Sequence, residues 1–109
     1  MITPTSIKHG YAFLRKLPPF KGWKLPAQIE AKVSNDISEY GSFDEPDIIT
    51  LSKARIWDVD AMLKTIAHEM VHLYQFRCKE EGEPPYHNTF FYECAKEVCR
   101  ELGWKEETF

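Results

Sequence analysis

The sequence predicts an α+β fold, with an N-terminal helix, a small three-stranded and mainly antiparallel sheet, and two further helices. Three observations lead to this fold class. Apolar residues repeat at helical spacing in the first and last parts of the chain, strand-like patterns lie between them, and turns rich in proline, glycine and aspartate separate these stretches. The 109 residues, 43% of them hydrophobic and 28% charged, have the size and composition of one soluble domain spanning residues 1–109.

The first half of the chain contains one predicted helix and three predicted strands. Thr3 can cap the helix, Pro4 suits its first turn and Pro18 stops it, so the helix should run from about Pro4 to Leu17. Each strand is short, with alternating or β-branched residues and with turn residues at its ends. The predicted strands are Ile29–Val33, Glu39–Phe43 and Ile48–Ser52.

Two helices fill the second half. The first begins at Asp58 or Asp60, either of which can cap it, and continues to about Lys79. The last begins near Asn88 and ends at Gly103. Each helix has an apolar stripe that we expect to be buried. The stripes are Met62, Ile66, Met70 and Leu73 on the first of these helices, and Phe91, Cys94, Ala95, Val98 and Leu102 on the last.

Bulk properties exclude several classes of protein. No apolar run approaches the length that a bilayer crossing needs, and the first residues lack the basic and apolar blocks of a secretory signal. We therefore expect a cytoplasmic monomer with no membrane partner. Cys78, Cys94 and Cys99 are an odd number without Cys-x-x-Cys spacing, which indicates reduced core residues and not a structural zinc site.

The strongest chemical signal is one run inside the predicted helix that ends near Lys79, His68-Glu69-Met70-Val71-His72. On a helix, His68 and His72 lie about 40° apart and one turn from each other, so both imidazoles can reach one ion. Glu69 lies beside them, where its carboxylate can take a proton from a metal-activated water. The run also lies opposite the apolar stripe. It predicts a Zn²⁺ site with Glu69 as the general base.

A third ligand must come from elsewhere in the chain, because a catalytic zinc usually has three protein ligands and leaves one position for water. His87 is the favoured candidate, since a last helix packed antiparallel on the motif helix would bring its start towards the metal. Two alternatives stay open. Glu93 or Glu97, one or two turns into the last helix, would supply an acidic ligand, and His9 lies on the N-terminal helix.

These residues resemble the SprT-like (Spartan-type) zinc metallopeptidases. That family pairs an HExxH helix with a downstream histidine at the start of a second helix, typically as His-Gly-x-x-Phe. The matching stretches here are His68–His72 and His87–Phe91, and the similarity covers roughly residues 28 to 103. Asn88 stands at the position of the family's glycine. The sequence contains no Cys-rich zinc ribbon, so we expect the catalytic domain alone.

The resemblance implies a minimal zincin-like domain, with zinc bound by His68, His72 and His87 and with Phe91 packed beneath the site. It also implies zinc-dependent hydrolysis of peptide bonds, with DNA-associated proteins as one class of substrate. If Ile48–Ser52 is the edge strand beside the cleft, an extended protein or peptide substrate can pair with it by β-augmentation.

Two other functions stay open on the residues alone. An ImmA-like regulatory protease that cleaves a repressor also uses HExxH in a small fold, and it would prefer an acidic third ligand such as Glu93. A non-catalytic zinc- or nucleic-acid-binding module is the second, although Glu69 has no use in a closed structural site. Tyr74, Tyr86 and Tyr92 are candidates to stabilise the oxyanion, and no sequence signal selects among them.

The distribution of charge raises the question of a polyanionic partner. The formal net charge is −3, yet the first 32 residues carry six basic residues against one acidic residue. A cluster of this kind can contact the phosphates of DNA, or it can be a solvated helix face followed by a loop. The candidate DNA contacts are Lys8, Arg15, Lys16, Lys21 and Lys24.

Overall fold

The chain folds into three α-helices and one three-stranded sheet, which confirms the predicted α+β class. This computed structural model describes residues 2–109. Within those residues, no helix combines the length and the apolar character that crossing a bilayer would require. In chain order the elements are α1 (Pro4–Arg15), β1 (Glu30–Ser34), β2 (Gly41–Asp44), β3 (Ile48–Ser52), α2 (Val59–Cys78) and α3 (Thr89–Leu102), with short 3₁₀ helices at Phe20–Trp23 and Glu106–Thr108.

Side-chain caps set where the helices begin. Asp58 is the cap of α2, since its carboxylate accepts a main-chain N–H one turn ahead at 2.7 Å. Asn88 caps α3 in the same way, as the sequence predicts. α1 ends at Arg15, slightly before the predicted Leu17, because the next two N–H groups bond carbonyls three residues back. These shorter-range hydrogen bonds immediately precede Pro18, and a proline disfavours helical backbone in the residue before it.

The sheet is mixed and has β3 at its centre, which corrects two predictions. Its strand order is β1-β3-β2, with β1 parallel and β2 antiparallel to β3. The sheet is therefore not mainly antiparallel, and Ile48–Ser52 is not an edge strand. β3 is uncharged and largely buried, as a central strand should be, whereas β1 exposes Glu30 and Lys32. An alternating pattern identifies a strand but does not identify its neighbours.

α2 contacts both other helices and the sheet, and it contributes much of the core. Ile66, Met70 and Leu73 of its predicted stripe are fully buried, while Met62 is partly buried. The predicted stripe of α3 also faces the core. Phe91, Ala95 and Val98 are buried, and Cys94 and Leu102 are partly buried. The face of α2 that stays accessible lies beside β2 and carries the two histidines of the motif.

Candidate metal centre

Three histidines come together where α2 faces the start of α3. His68 and His72 lie on α2, and His87 immediately precedes the cap of α3. One ring nitrogen from each can be chosen so that all three lie within 4.8 Å of one another. Nε2 of His72 and Nε2 of His87 are 3.2 Å apart. Two nitrogens that bind one tetrahedral zinc are separated by about 3.3 Å. The three histidines are therefore close enough to hold a metal ion.

The other candidate ligands do not join this group. Among residues 2–109, the three histidines form the one such cluster of potential ligand atoms, and His9, Glu93 and Glu97 are not part of it. His9 is exposed on α1, and Glu93 is exposed on α3. The antiparallel approach of α2 and α3 delivers the start of α3, and not its later turns, to the motif.

Phe91 forms the floor beneath the three imidazoles. Its ring centroid lies 5.0 Å from that of His68, 4.8 Å from that of His72 and 4.6 Å from that of His87. The side chain is 3% exposed. An apolar floor of this kind keeps water away from one side of the cluster and limits rotation of the rings.

The tautomer of His72 follows from its neighbour Gln75. The Gln75 side chain is fully buried, and its amide nitrogen lies 2.9 Å from the carbonyl oxygen of Tyr86, which can only accept a hydrogen bond. The amide oxygen must then face Nδ1 of His72, at 2.7 Å. Nδ1 therefore carries the proton and donates it, and Nε2 presents a free lone pair to the cluster.

Asn88 extends this network to the loop that carries His87. Its side-chain oxygen accepts hydrogen bonds from the amide of Gln75 and from a main-chain N–H of α3, each at 3.0 Å. Its side-chain nitrogen donates to the carbonyl oxygens of Glu80 and Glu81, also at 3.0 Å. One side chain thus caps α3, closes the preceding loop and contacts the residue that orients His72.

The hydrogen-bond partner of the His68 ring lies in a distant part of the chain. Its Nδ1 lies 2.9 Å from the main-chain oxygen of Phe109, which accepts a hydrogen bond. Nδ1 of His68 is therefore the protonated nitrogen, and Nε2 is left to bind a metal ion. The ring of Phe109 also packs on that of His68, with 5.4 Å between centroids.

The two helix histidines stay neutral in moderately acidic solution. Burial lowers the pKa of His68 to about 4, a net value in which the hydrogen bond with Phe109 opposes the shift and the nearby His87 adds to it. Burial and the neighbouring His68 lower the pKa of His72 to about 4 as well. Burial also lowers the pKa of His87. Neutral imidazole is the form that binds a metal ion.

Glu69 lies at the base of the cleft with only 5% of its surface exposed. Burial, with a smaller contribution from the negative charges of Glu39 and Asp44, raises the pKa of its carboxyl group to about 8. A carboxylate in such a place binds protons strongly. A cation held by the nearby histidines would favour its ionised form.

The cluster opens into a cleft of about 690 Å³ between α2 and the edge strand β2. Glu39, Tyr40 and the strand residues Gly41 to Phe43 line one wall. β2 approaches α2 closely because Gly41 lacks a side chain: a Cβ there would lie 2.7 Å from the carbonyl oxygen of Thr50 and 2.9 Å from a methyl carbon of Thr65. The strand beside the cleft is therefore β2, and the prediction that assigned this place to Ile48–Ser52 is wrong.

The structure separates the three tyrosines considered for oxyanion stabilisation. Tyr86 lines the cleft. Tyr74 stacks on Trp23, with ring centroids 4.2 Å apart and planes 8° apart, and it does not line the cleft. Tyr92 is exposed and lies outside the cleft lining. Tyr40, which the sequence did not single out, lines the opposite wall.

Sequence reasoning missed Gln75 and Phe109, the partners of the two helix histidines. Gln75 had a detectable signal, because a glutamine one turn after His72 on a helix can reach its ring. Phe109 had none, because its contact with His68 joins residues 41 positions apart.

Comparison of the chain with models of protein families, with curated proteins and with solved structures finds no match in any of the three. The resemblance to SprT-like metallopeptidases therefore rests on the residues of the two motifs.

Proposed function

We propose that this protein is a zinc-dependent metalloendopeptidase, a SprT-like catalytic domain of the minimal zincin type. The observation that carries the proposal is the convergence of His68, His72 and His87 in the cleft that the buried Glu69 also lines. Three neutral imidazoles suit Zn²⁺, and three protein ligands leave a position open for substrate and water. The free cysteines suit a reducing compartment such as the cytoplasm.

In the proposed mechanism Glu69 is the general base. When bound, zinc supplies a Lewis acid that polarises the scissile carbonyl and acidifies the attacking water. Glu69 accepts a proton from that water as it attacks the carbonyl carbon, and it returns the proton to the leaving amine. Gln75 and the main-chain oxygen of Phe109 hold the imidazoles of His72 and His68 in the ligating tautomer.

The proposed substrate is an extended segment of protein that pairs with the outer edge of β2. β2 hydrogen-bonds only to β3 within the sheet, so its other edge is available to another strand. The same strand lines the cleft that contains Glu69. A peptide paired there would pass the three histidines. Proteins associated with DNA remain the substrate class that the family resemblance suggests.

The test measures bound zinc and hydrolysis together. Purified protein should hold one zinc per chain by mass spectrometry and should cleave a dye-labelled unfolded protein such as casein. Glu69→Gln should keep the zinc and lose about 10²- to 10⁴-fold in rate. His87→Ala should lose the zinc, whereas the matched control His9→Ala should change neither quantity. An unchanged rate in Glu69→Gln would contradict the general-base role.

The same variants separate the competing functions. An ImmA-like protease with an acidic third ligand would lose zinc in Glu93→Ala and keep it in His87→Ala. The geometry favours His87, since Glu93 does not belong to the ligand cluster. A non-catalytic zinc module would bind zinc through the histidines but show no hydrolysis that depends on Glu69.

We propose nucleic acid as a second ligand, and a specific groove supports this proposal. Arg15, Lys16, Lys21 and Lys24 line a groove of about 320 Å³ at the end of α1. Within residues 2–109 the salt bridges are Lys32 with Glu30 and Lys64 with Asp60, so no acidic side chain neutralises these four cations. Lys8 is exposed on α1 and does not line the groove.

Salt dependence tests the nucleic-acid proposal. The affinity for single- and double-stranded DNA should fall steeply with salt, and the triple change Lys16→Ala, Lys21→Ala and Lys24→Ala should reduce the logarithmic slope by about 1 per residue. A triple change of the exposed Lys53, Lys96 and Lys105 is the charge-matched control. Equal effects of the two triple variants would reject the groove.

A further inference from the structure

The last residues of the chain return to the motif helix. Gly103 caps the end of α3 with a positive φ of 78° that allows the reversal, and the N–H of Trp104 bonds back to the carbonyl oxygen of Cys99 at 3.0 Å. We call Trp104–Phe109 the strap. It runs beside a stripe of α2 in which Asp60, Lys64 and His68 follow one another at four-residue intervals, one turn apart on one face.

Each step of this stripe contacts the strap. The indole N–H of Trp104 donates to a carboxylate oxygen of Asp60 at 3.3 Å. The ammonium group of Lys64 lies 6.0 Å from the Trp104 ring and 3.5 Å from the hydroxyl of Thr108. Phe109 completes the series, because its main-chain oxygen accepts a hydrogen bond from Nδ1 of His68 at 2.9 Å.

Thr108 and Phe109 are also part of the cleft wall. The Phe109 ring lies within 6.4 Å, centroid to centroid, of the rings of both Phe91 and Trp104. The His68 ring thus packs on two aromatic rings that are themselves neighbours, Phe91 at 5.0 Å and Phe109 at 5.4 Å. The strap therefore touches the ligand residue through both its main chain and its side chain.

We infer that the strap positions the metal ligand His68, with Trp104 as the anchor and Phe109 as the positioning residue that selects the tautomer. The inference rests on the proposed metal site, but it does not require peptidase activity. The two helix histidines differ in the part of the chain that orients each ring. His72 is oriented by Gln75, a residue of its own helix, whereas His68 depends on a segment that must dock from elsewhere.

A consequence is that strap docking and metal binding are coupled. If the docked strap favours the ligating tautomer of His68, a bound metal ion must favour the docked strap by the same factor. Zn²⁺ should therefore increase the protection of strap amides from hydrogen exchange. Loss of docking should weaken metal binding by about 10- to 100-fold, the usual effect of removing a partner that orients a ligating histidine.

The experiment compares Trp104→Ala and Phe109→Ala with the control Trp57→Ala, an exposed tryptophan that lies outside the strap. Zinc affinity is measured by competition with a chelating dye. Trp104→Ala should lose about 10- to 100-fold in affinity. Phe109→Ala keeps the main-chain oxygen and should lose less. Trp57→Ala should match the unmodified protein. Affinity within twofold of that protein in Trp104→Ala would overturn the inference.

A second measurement separates positioning from general damage to the fold. In the metal-free protein, ¹⁵N NMR of the histidine side chains should show His68 and His72 each protonated at Nδ1. In Trp104→Ala, His68 should become a mixture of tautomers while His72 keeps its form. Equal changes at both histidines, or none at His68, would overturn the inference. A protein that shows these tautomers but binds no zinc would instead reject the proposed function.

Discussion

The amide oxygen of Gln75 lies 2.7 Å from Nδ1 of His72, three residues back on the same helix. This hydrogen bond is possible in one orientation only, because the amide nitrogen of Gln75 is committed to the carbonyl oxygen of Tyr86 and the side-chain oxygen of Asn88. The buried amide of Gln75, whose nitrogen donates to both acceptors, therefore determines which ring nitrogen of His72 is free to bind a metal ion.

Replacement of Gln75 by alanine should weaken zinc binding by about 10- to 100-fold, because Nδ1 of His72 loses its acceptor. The change also leaves buried polar groups without partners and should reduce the free energy of unfolding by about 1–3 kcal/mol. Chelator competition and urea denaturation measure the two effects. Gln28→Ala, at an exposed position, is the control. Wild-type affinity in a folded Gln75→Ala protein would refute the role of this contact.

Asn88 should contribute more than the helix cap alone. Asn88→Asp keeps an oxygen for the cap and for Gln75 but loses the two donated bonds to the loop carbonyls of Glu80 and Glu81. We expect a loss of about 1 kcal/mol for Asn88→Asp and about 1–3 kcal/mol for Asn88→Gly, which loses every bond. Urea denaturation checks the order. A glycine variant as stable as the asparagine protein would contradict it.

The stability of the metal-free protein should pass through a maximum near pH 6.5. Above this pH the loss comes from Glu69. Its carboxyl group, with a pKa raised from 4.5 to about 8, keeps its proton in the folded state while the unfolded chain is ionised, so its contribution to stability declines until the pH reaches about 8. Below this maximum, His68 and His72 resist protonation with pKa values near 4, whereas the unfolded chain takes up protons near pH 6.5. Stability therefore also falls as pH decreases from 6.5 towards 4.

We expect a decrease of about 1–2 kcal/mol at pH 8 and at pH 5, measured by urea denaturation in the presence of a chelator. Glu69→Gln removes the titrating group on the alkaline side. That variant should keep its stability between pH 6.5 and 8 and still lose it in acid. If it shows the same alkaline decrease as the unmodified protein, another group is responsible.

A side chain at position 41 should push β2 away from α2. Gly41→Ala places a methyl group 2.7 Å from a main-chain oxygen of the neighbouring strand, which cannot move aside without disturbing the sheet. The expected loss is about 1–3 kcal/mol. Gly22→Ala is the matched control, because a Cβ there meets nothing within 4 Å, and its effect should stay within about 0.5 kcal/mol. Equal melting temperatures for the two variants would contradict the close approach.

The features that the sequence predicted correctly are those that local chemistry determines. Ile48–Ser52 was predicted with its observed bounds, and Asn88 and Gly103 mark the ends of α3 because capping depends on neighbouring residues. The pairing of His68 with His72 could also be predicted, because helical spacing alone places both rings on one face.

The features that it did not predict depend on contacts between distant residues. Nothing in the residues Ile48–Ser52 indicates that β3 inserts between two strands that precede it in the chain. The prediction of a mainly antiparallel sheet and the edge position considered for this strand were therefore both wrong. The approach of Gly41 to Thr65 and the bond from His68 to Phe109 arise only when the whole fold is assembled. Many of the contacts that orient the histidines likewise join residues that are distant in the chain.

The two edges of the sheet differ in their protection against unwanted strand pairing. β1 exposes Glu30 and Lys32, which form an ion pair at 3.6 Å, and charged residues on an edge discourage aggregation with other chains. β2 has no charge in its first three residues, Gly41 to Phe43. Pairing of an extended chain with this sheet is therefore discouraged at β1, the edge far from the histidines. At the edge beside the histidines an extended chain meets one charged strand residue, Asp44, at the end of β2.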